Sequence, residues 1–518
     1  LWFQAVRAEV YALHLLTVAL ASALVVEMEL RAQEQRPADP RLLYGLAFVV
    51  GLGLSNHHYL MVFWALPAVA FLLARAPWRR VLLSWGGLRA CGFGALGLVS
   101  YALLPLRAWR EPLLNWGDPS TLERFWWVLT AKAFQKSLGK AHEVDLPRLL
   151  SDLGGQMARQ FHPIGALVGL MTLAWCLSQP KRRGVGLLAL GWLVTNLATQ
   201  SLLNFDPNNP DVHGYFGLSA WWLALLCALA AAVVDQGFWG VRPHLPPRLR
   251  PWLEGSLWAS LGLTALLAAN TARTLPHARL DGFRDVDVIN AALLEPLPEG
   301  SLLITSHYKT LFNLWYAQGV EGRRPDVQIL HRNFLPDGPY VSQLQRRSPA
   351  LLGLAAEPGR SQKLNLEALR ALSAQRPVYL EFDLNVEGEL GYFLLPEGLL
   401  FRVVPEPQDP GPLPPARVQL QAQYWSSLEA HLRARAPAHV AEGPGGLELE
   451  TLRYLTWQHY LTSLGLIAGG HPDLARFHAD RLAAANPKAP ELEQLRGYLT
   501  TLEDGLARER AKTQEAPP

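Results

Sequence analysis

The sequence is poor in the residues that build disulfide-stapled or zinc-bound domains. Its three cysteines, Cys91, Cys176 and Cys227, all lie in apolar runs of the first half. No pair has metal-ligand spacing and no HExxH pattern accompanies the histidines, so a disulfide framework and a metal site are both excluded as expectations. The cysteines read as membrane-packing residues. Charge is scarce too: 18% of the 518 residues are charged and the formal net charge is only +3, which argues against a nucleic-acid partner. No glycine-rich phosphate loop follows the candidate strands of the second half, so no nucleotide site, and no cofactor, is expected.

What is present is apolar sequence, half of all residues, with 18 tryptophans. Residues 1–270 carry long apolar runs with short polar breaks, and the remainder reads as soluble protein. Spanning a bilayer takes roughly 20 apolar residues, fewer inside a bundle. The expected segments are 8–30, 42–55, 59–74, 90–106, 163–178, 185–203, 215–234 and 255–270. Residues 42–74 read either as two segments or as one broken helix, which makes about eight a working number. Arg31, Arg36 and Arg41 lie in the first loop, Arg75, Arg79, Arg80 and Arg89 in the third, Lys181, Arg182 and Arg183 in the fifth, and Arg242, Arg248 and Arg250 in the seventh. The alternate short loops at 56–58 and 204–214 have no Lys or Arg. Under the positive-inside rule the basic loops face the cytoplasm, and the other loops, with everything after about 271, are extracytoplasmic.

Polar groups gather on that outer side. Apolar sequence ends at Pro105, and Arg107, Arg110, Asn115, Trp116, Gly117, Asp118 and Pro119 follow at once. This stretch reads either as a membrane-interface anchor or as a grip for a charged lipid head group. Arg7 and Glu9, with Tyr11 and His14, enter the first helix; an ionisable residue near membrane depth is a functional candidate unless paired. Asn56, His57 and His58 break an apolar stretch, either as helix-end hydrogen bonders or as groups able to take or give a proton near neutrality. Asp206, Asn208, Asn209, Asp211 and His213, followed by Tyr215, offer many acceptors in a Pro- and Gly-shaped loop. Hydroxyl recognition or pairing with arginines fits that loop better than calcium, which wants six to eight regularly placed oxygens. Between them, Phe125, Trp126, Trp127, Leu129 and Phe134 interleave with Lys132, Lys136 and Lys140, which share a helix face. That is expected to be an amphipathic helix in the outer interface, or else a solvated one.

Taken in order, QAVRAEVYALH, GLGLSNHHYL, LPLRAWREPLLNWGDP and DPNNPDVHGYF resemble the bacterial and animal membrane family related to protein O-mannosyltransferases, within the GT-C class of glycosyltransferases. The resemblance runs to about residue 345, through SLLITSHYKTLFNLWYAQGVEGRRPDVQIL. It implies a multi-helix membrane core that moves a sugar from a polyprenyl-phosphate carrier to an extracytoplasmic hydroxyl. It also implies a donor site built from Arg7, Glu9, Asn56, His57, His58, Arg107, Asn115, Trp116, Asp118, Asp206, Asn209, Asp211, His213 and Tyr215. The family's acidic base belongs to an outer loop expected upstream of Leu1, so the chain reads as an amino-terminally truncated member with its catalytic base unknown. Where the family tends to carry a GDNDT-like acidic stretch, this chain has Ser306, His307, Tyr308, Lys309 and Thr310.

In the second half, LLIT (302–305), VQIL (327–330) and VYLEF (378–382) read as short buried strands, with a helix over 310–319 between the first two. YFLLPEGLLFRVV (392–404) reads as a hairpin through Pro396, Glu397 and Gly398. The expected organisation is therefore an α-helical polytopic membrane domain (1–270), an extracytoplasmic α/β domain (271–404), a Pro-rich linker (405–415) and a helical region (416–518). That last region is either a tetratricopeptide-like array or a plain bundle, and a protein partner for it is expected. The function expected is that of an inner-membrane hexosyltransferase whose partners are a polyprenyl-phosphate sugar, membrane lipid and an acceptor protein or glycan. The alternatives are a transporter or flippase of a lipid-linked precursor and a non-catalytic membrane scaffold. Clustering of the polar groups at one face, rather than at mid-membrane, favours the enzyme.

Overall fold

A computed structural model describes residues 10–112, 115–132, 146–202, 214–241, 285–385, 388–435 and 447–515, with isolated positions between 246 and 275. The chain divides into two units: residues 1–107 with 127–279, and residues 108–126 with 280–518.

The first unit is helical. Its elements are α1 (Tyr11–Gln33), α2 (Pro40–Ala74), α3 (Ala76–Leu82) and α4 (Trp85–Gly97), which passes through a 3-10 turn at Leu98–Ala102 into α5 (Leu103–Ala108). After α6 (Leu122–Leu129), which straddles the division, come α7 (Leu146–Ser178), α8 (Arg183–Leu202) and α9 (Gly217–Val241). Among the described residues, four helices are long and apolar enough to cross a membrane: Tyr11–Gln33, Pro40–Ala74, Trp85–Ala108 and Gly214–Val234. Pro163–Ser178 is a shorter apolar stretch, and most of the expected segment at 255–270 lies outside the described residues. Residues 42–74 form one helix. It starts on Asp39, whose side chain accepts from the Arg41 N–H, and it is broken once, at His57 (φ −148°, ψ 83°).

Close backbone approach sets the packing of α2 on α4. A methyl group on Gly51 would lie 2.2 Å from the Gly94 carbonyl oxygen, and one on Gly97 would lie 2.4 Å from that of Phe48. Small residues at a crossing let two apolar helices gain dispersion contact where lipid offers no hydrophobic drive. On the other side of α2, Trp64, Trp192 and Trp222 stack with ring centroids 5.5 and 4.7 Å apart. The Trp192 indole donates to the Trp64 carbonyl and the Trp64 indole to Ser22, so hydrogen bonds tie α1, α2 and α8 together and ring stacking adds α9 through Trp222. Glu29 is fully buried and pairs with Arg75, while also accepting from Gln33. A buried carboxylate is tolerated when it is paired and hydrogen-bonded in this way.

The second unit is built on a sheet. Its elements are α10 (Asp285–Leu294), β1 (Leu302–Thr305), α11 (Tyr308–Gly319), β2 (Gln328–His331), α12 (Gly338–Arg347), α13 (Pro349–Leu352), α14 (Leu366–Ser373), β3 (Val378–Leu380), β4 (Leu394–Glu397) and β5 (Leu400–Val403), followed by α15 (Pro415–Arg435), α16 (Leu447–Ala468), α17 (Pro472–Ala485) and α18 (Glu491–Glu515). The strand order is β2-β1-β3-β5-β4. Strands β2, β1 and β3 are parallel, and the β4–β5 hairpin, turning at Gly398 (φ 66°), adds two antiparallel strands. Successive strand residues feed opposite faces. Leu302 and Ile304 enter a core with Leu461, Leu474 and Leu495, whereas Leu303 and Tyr379 enter another with Ile289, Trp425 and Leu428. The carboxyl-terminal helices thus supply the cover of both sheet faces. Residues 405–415 are pinned as well, through Gln408 N–H to the Tyr392 carbonyl and Gly411 N–H to that of Gly470.

Between these helices lies a buried network. His459 meets His478 at 2.9 Å and Glu429 at 3.1 Å, and Arg481 closes it on Glu429. Burial, with His459 and Arg481 nearby, holds the His478 imidazole well below its ordinary 6.5, and burial likewise lowers His471. A histidine with a lowered folded pKa leaves stability intact above its unfolded value; as pH falls below that value the unfolded chain binds protons that the fold refuses. The midpoint of thermal unfolding of the second unit should therefore be level above about pH 6.5 and fall steadily toward about pH 5. Differential scanning fluorimetry of the detergent-solubilised chain checks this, and His478→Phe should flatten the slope.

Candidate functional site

The break in α2 at His57 is the polar centre of the first unit. Tyr11, His14 and Tyr215 surround the His57 ring at centroid distances of 5.9, 5.8 and 5.8 Å, and Tyr11 meets Tyr215 edge-on at 5.2 Å. Asn56 donates to the Val10 carbonyl at 2.9 Å, joining the break to the start of α1. His57 Nδ1 receives the Leu60 N–H at 3.4 Å, which replaces part of the helix ladder lost at the break. Gly214 gives the Tyr11 ring its place: a methyl there would lie 2.3 Å from the ring carbons. His58 is exposed on the same turn.

A narrow cleft beside these rings is lined by His14, Thr195, Asn196, Thr199, Gly214 and Tyr215. Asn196 is spent on structure, since it donates to the Tyr215 carbonyl and accepts from Ser219. Gln200 is fully buried, and neither of its amide atoms has a partner among the described residues; the same holds for His14 Nδ1. Such groups carry the cost of burial without the bond that offsets it, which is the mark of a site that completes itself with a ligand or water.

Arg107 is exposed in the last turn of α5 and makes no ion pair among the described residues. Two turns earlier, Tyr101 donates to the Leu54 carbonyl at 2.8 Å. That bond holds the segment leading to Arg107 against the middle of α2, next to Asn56 and His57.

Asn115, Trp116 and Asp118 belong to the second unit. Gly117 and Asp118 are both left-handed (φ 67° and 43°), which folds the NWGDP turn tightly. Asp118 is fully buried: Asn115 donates to its Oδ1, and Arg124 and Arg346 (2.8 Å) both engage Oδ2. Gln343 donates to the Asn115 carbonyl and the Trp116 ring packs edge-on to Phe334, so α12 clamps the turn. The expectation that Asn115 and Asp118 grip a donor meets this fact: their polar capacity goes to the protein itself. Arg7, Glu9, Asp206, Asn209, Asp211 and His213 lie outside the described residues, as do Lys136 and Lys140.

Sequence reasoning left Tyr11, His14, Thr195, Asn196, Thr199 and Gln200 out of the site. The signal existed: Thr195, Asn196, Thr199 and Gln200 repeat at i, i+1, i+4 and i+5, one polar face on an apolar helix. It likewise missed Glu381, which stands in for the acidic stretch absent at 306–310. Glu381 accepts from the Ser306 and His307 N–H groups at 2.9 and 3.1 Å and from the Thr310 hydroxyl at 2.6 Å.

Comparison with known proteins bears on this geometry. Residues 1–81 match the sequence model described as the protein O-mannosyl-transferase TMEM260 N-terminal domain, and residues 287–350 match TMEM260-associated domain 2. The mouse (Mus musculus) protein O-mannosyl-transferase TMEM260 is 25% identical over 366 residues, 68% of this chain and 50% of its own length. The chain is thus similar to this O-mannosyltransferase-related family over these segments. It spans about half the length of the curated relative it matches, and no solved structure matches it. Tyr11, His14, Asn56 and His57 all fall inside the first matched segment, and the clamp residues Gln343 and Arg346 inside the second.

The clamp is testable. Asp118→Ala leaves two arginines facing a buried gap and should lower second-unit stability by about 3 kcal/mol. Trp116→Ala, at a half-exposed position, should cost clearly less in the same thermal melt.

Proposed function

We propose that the chain acts as a glycosyltransferase of the GT-C type, with its first unit in the membrane, using a polyprenyl-phosphate sugar and an extracytoplasmic acceptor hydroxyl, on a protein or a glycan. The observation that carries this reading is the ring cluster at the His57 break: Tyr11, His14 and His57 fall in the segment that matches the transferase family, and the cluster borders a cleft lined by His14, whose Nδ1 has no partner among the described residues. Similarity to the transferase family and apolar helices long enough to span a bilayer support a lipid-linked donor. The alternation of basic and uncharged loops supports the outer face as the site of transfer.

The chemistry asks for few parts. The bond between the anomeric carbon and the phosphate oxygen breaks, the acceptor oxygen takes its place, and the acceptor proton leaves to a base. Negative charge then collects on the departing phosphate, where a guanidinium offers two parallel N–H bonds. Arg107, exposed in the last turn of α5, suits that role. The His57 and His14 rings and the Tyr215 hydroxyl are hydrogen-bonding groups suited to sugar hydroxyls. We assign the base to none of the described residues.

Arg107→Ala in the full-length enzyme should cut transfer of radiolabelled mannose from polyprenyl phosphate by about a hundredfold. Arg79→Ala, on a basic loop assigned to the cytoplasmic side, should leave it unchanged. Equal rates for the two variants remove Arg107 from the donor site.

A further inference from the structure

Strands β2, β1 and β3 bring their carboxyl ends to a point where the chain reverses direction across the sheet. From β1 it passes through α11 to β2 on one side, then through α12, α13 and α14 to β3 on the other. Open parallel sheets bind ligands in the crevice at such a point, and the common occupant is a phosphate on the amino end of the following helix. Here that place is taken. Glu381, 1% exposed, already receives the two backbone N–H groups ahead of α11 and the Thr310 hydroxyl. A second anion would meet a carboxylate in place of open donors, so the crevice is built against phosphates and nucleotides.

What it offers is neutral. His331 is fully buried, and its Nδ1 lies 2.9 Å from the Thr305 hydroxyl. Its other ring nitrogen, on the side away from Thr305, has no partner among the described residues, and the same is true of His307 Nε2. Burial first, and His307 second, lower His331 to about 3, so its ring is uncharged near neutrality. In front stands an aromatic wall. Tyr308, 48% exposed, has its ring 5.2 Å from that of His331 and 5.3 Å from that of Phe334, and Phe312, 49% exposed, continues it. Trp116 meets the same Phe334 at 5.1 Å.

We propose that this crevice is a binding site for a neutral saccharide. An apolar ring face lies on Tyr308, and ring hydroxyls reach the free nitrogens of His307 and His331. Half-exposed aromatics beside buried, unpartnered imidazoles match a ligand with one apolar face and a hydroxyl-bearing edge. A lipid surface would cover the aromatics and leave the imidazoles unused. The inference does not depend on catalysis, because binding is read with no donor lipid present.

The test is saturation-transfer NMR on the full chain in detergent, with methyl α-mannoside, methyl α-glucoside and inorganic phosphate as probes. At least one glycoside should bind and phosphate should not compete. Tyr308→Ala should weaken glycoside binding about tenfold, a loss of about 1.4 kcal/mol, while Tyr308→Phe keeps it. His307→Ala should weaken it as well, at a position that does not enter the core. Absence of binding by both glycosides, or equal binding by wild type and Tyr308→Ala, overturns the proposal. So does a result in which Tyr308→Ala and Phe312→Ala lower only the binding of phosphatidylglycerol vesicles, since that makes the wall a lipid contact.

Discussion

The first unit depends on one constraint: an apolar helix cannot lose its backbone hydrogen bonds unless other groups in the protein replace them. Helix α2 breaks once, at His57, and the surroundings answer that break. His57 Nδ1 takes a freed N–H from Leu60, Asn56 reaches across to the Val10 carbonyl, and Tyr11, His14 and Tyr215 close around the ring. The glycines on one flank of α2 and the tryptophan stack on the other fix the helix rigidly enough for the break to have one geometry. A polar pocket in an apolar bundle follows from that single irregular residue.

The second unit solves a different problem with buried carboxylates. Asp118 gathers Arg124 and Arg346 and so fixes the NWGDP turn on α12, and Glu381 gathers the amino end of α11 and so fixes it at the carboxyl end of the central strands. In each case a buried acid has its oxygens filled by the protein's own donors. Their role is to present what lies beside them: Trp116 in one case, His307 and Tyr308 in the other. Hydrogen-bond accounting, more than residue type, separates supporting acids from available polar groups.

Much of this was legible in the chain. Apolar length announced the helices, the Asn56-His57-His58 triplet announced the break, and the β-branched runs at 302–305 and 327–330 announced the parallel strands. Glu397-Gly398 announced the hairpin, because the turn needs a left-handed residue there. Contacts between distant positions were not legible. Asp118 meets Arg346 across 228 residues, and nothing near NWGDP hints that this carboxylate is consumed. Glu381 sits in an ordinary strand pattern, and its partners lie more than 70 residues earlier. The C-terminal helices look like a separate module because their apolar stripes do not say what they cover; in the fold they close both sheet cores.

Two candidate sites of opposite character therefore share one chain: a ring-lined break within apolar helices, proposed for a lipid-linked sugar, and a crevice at the carboxyl ends of the central strands, proposed for a neutral saccharide. The central claim is that the His57 break holds the sugar of the donor. Photo-crosslinking tests it most directly, using a polyprenyl-phosphate mannose that carries a diazirine on the sugar, followed by mass mapping of the labelled peptides. The account predicts label on the peptides bearing His57 and Tyr215, displaced by unlabelled donor. Displaceable label confined to other segments, with none on these two, would contradict it.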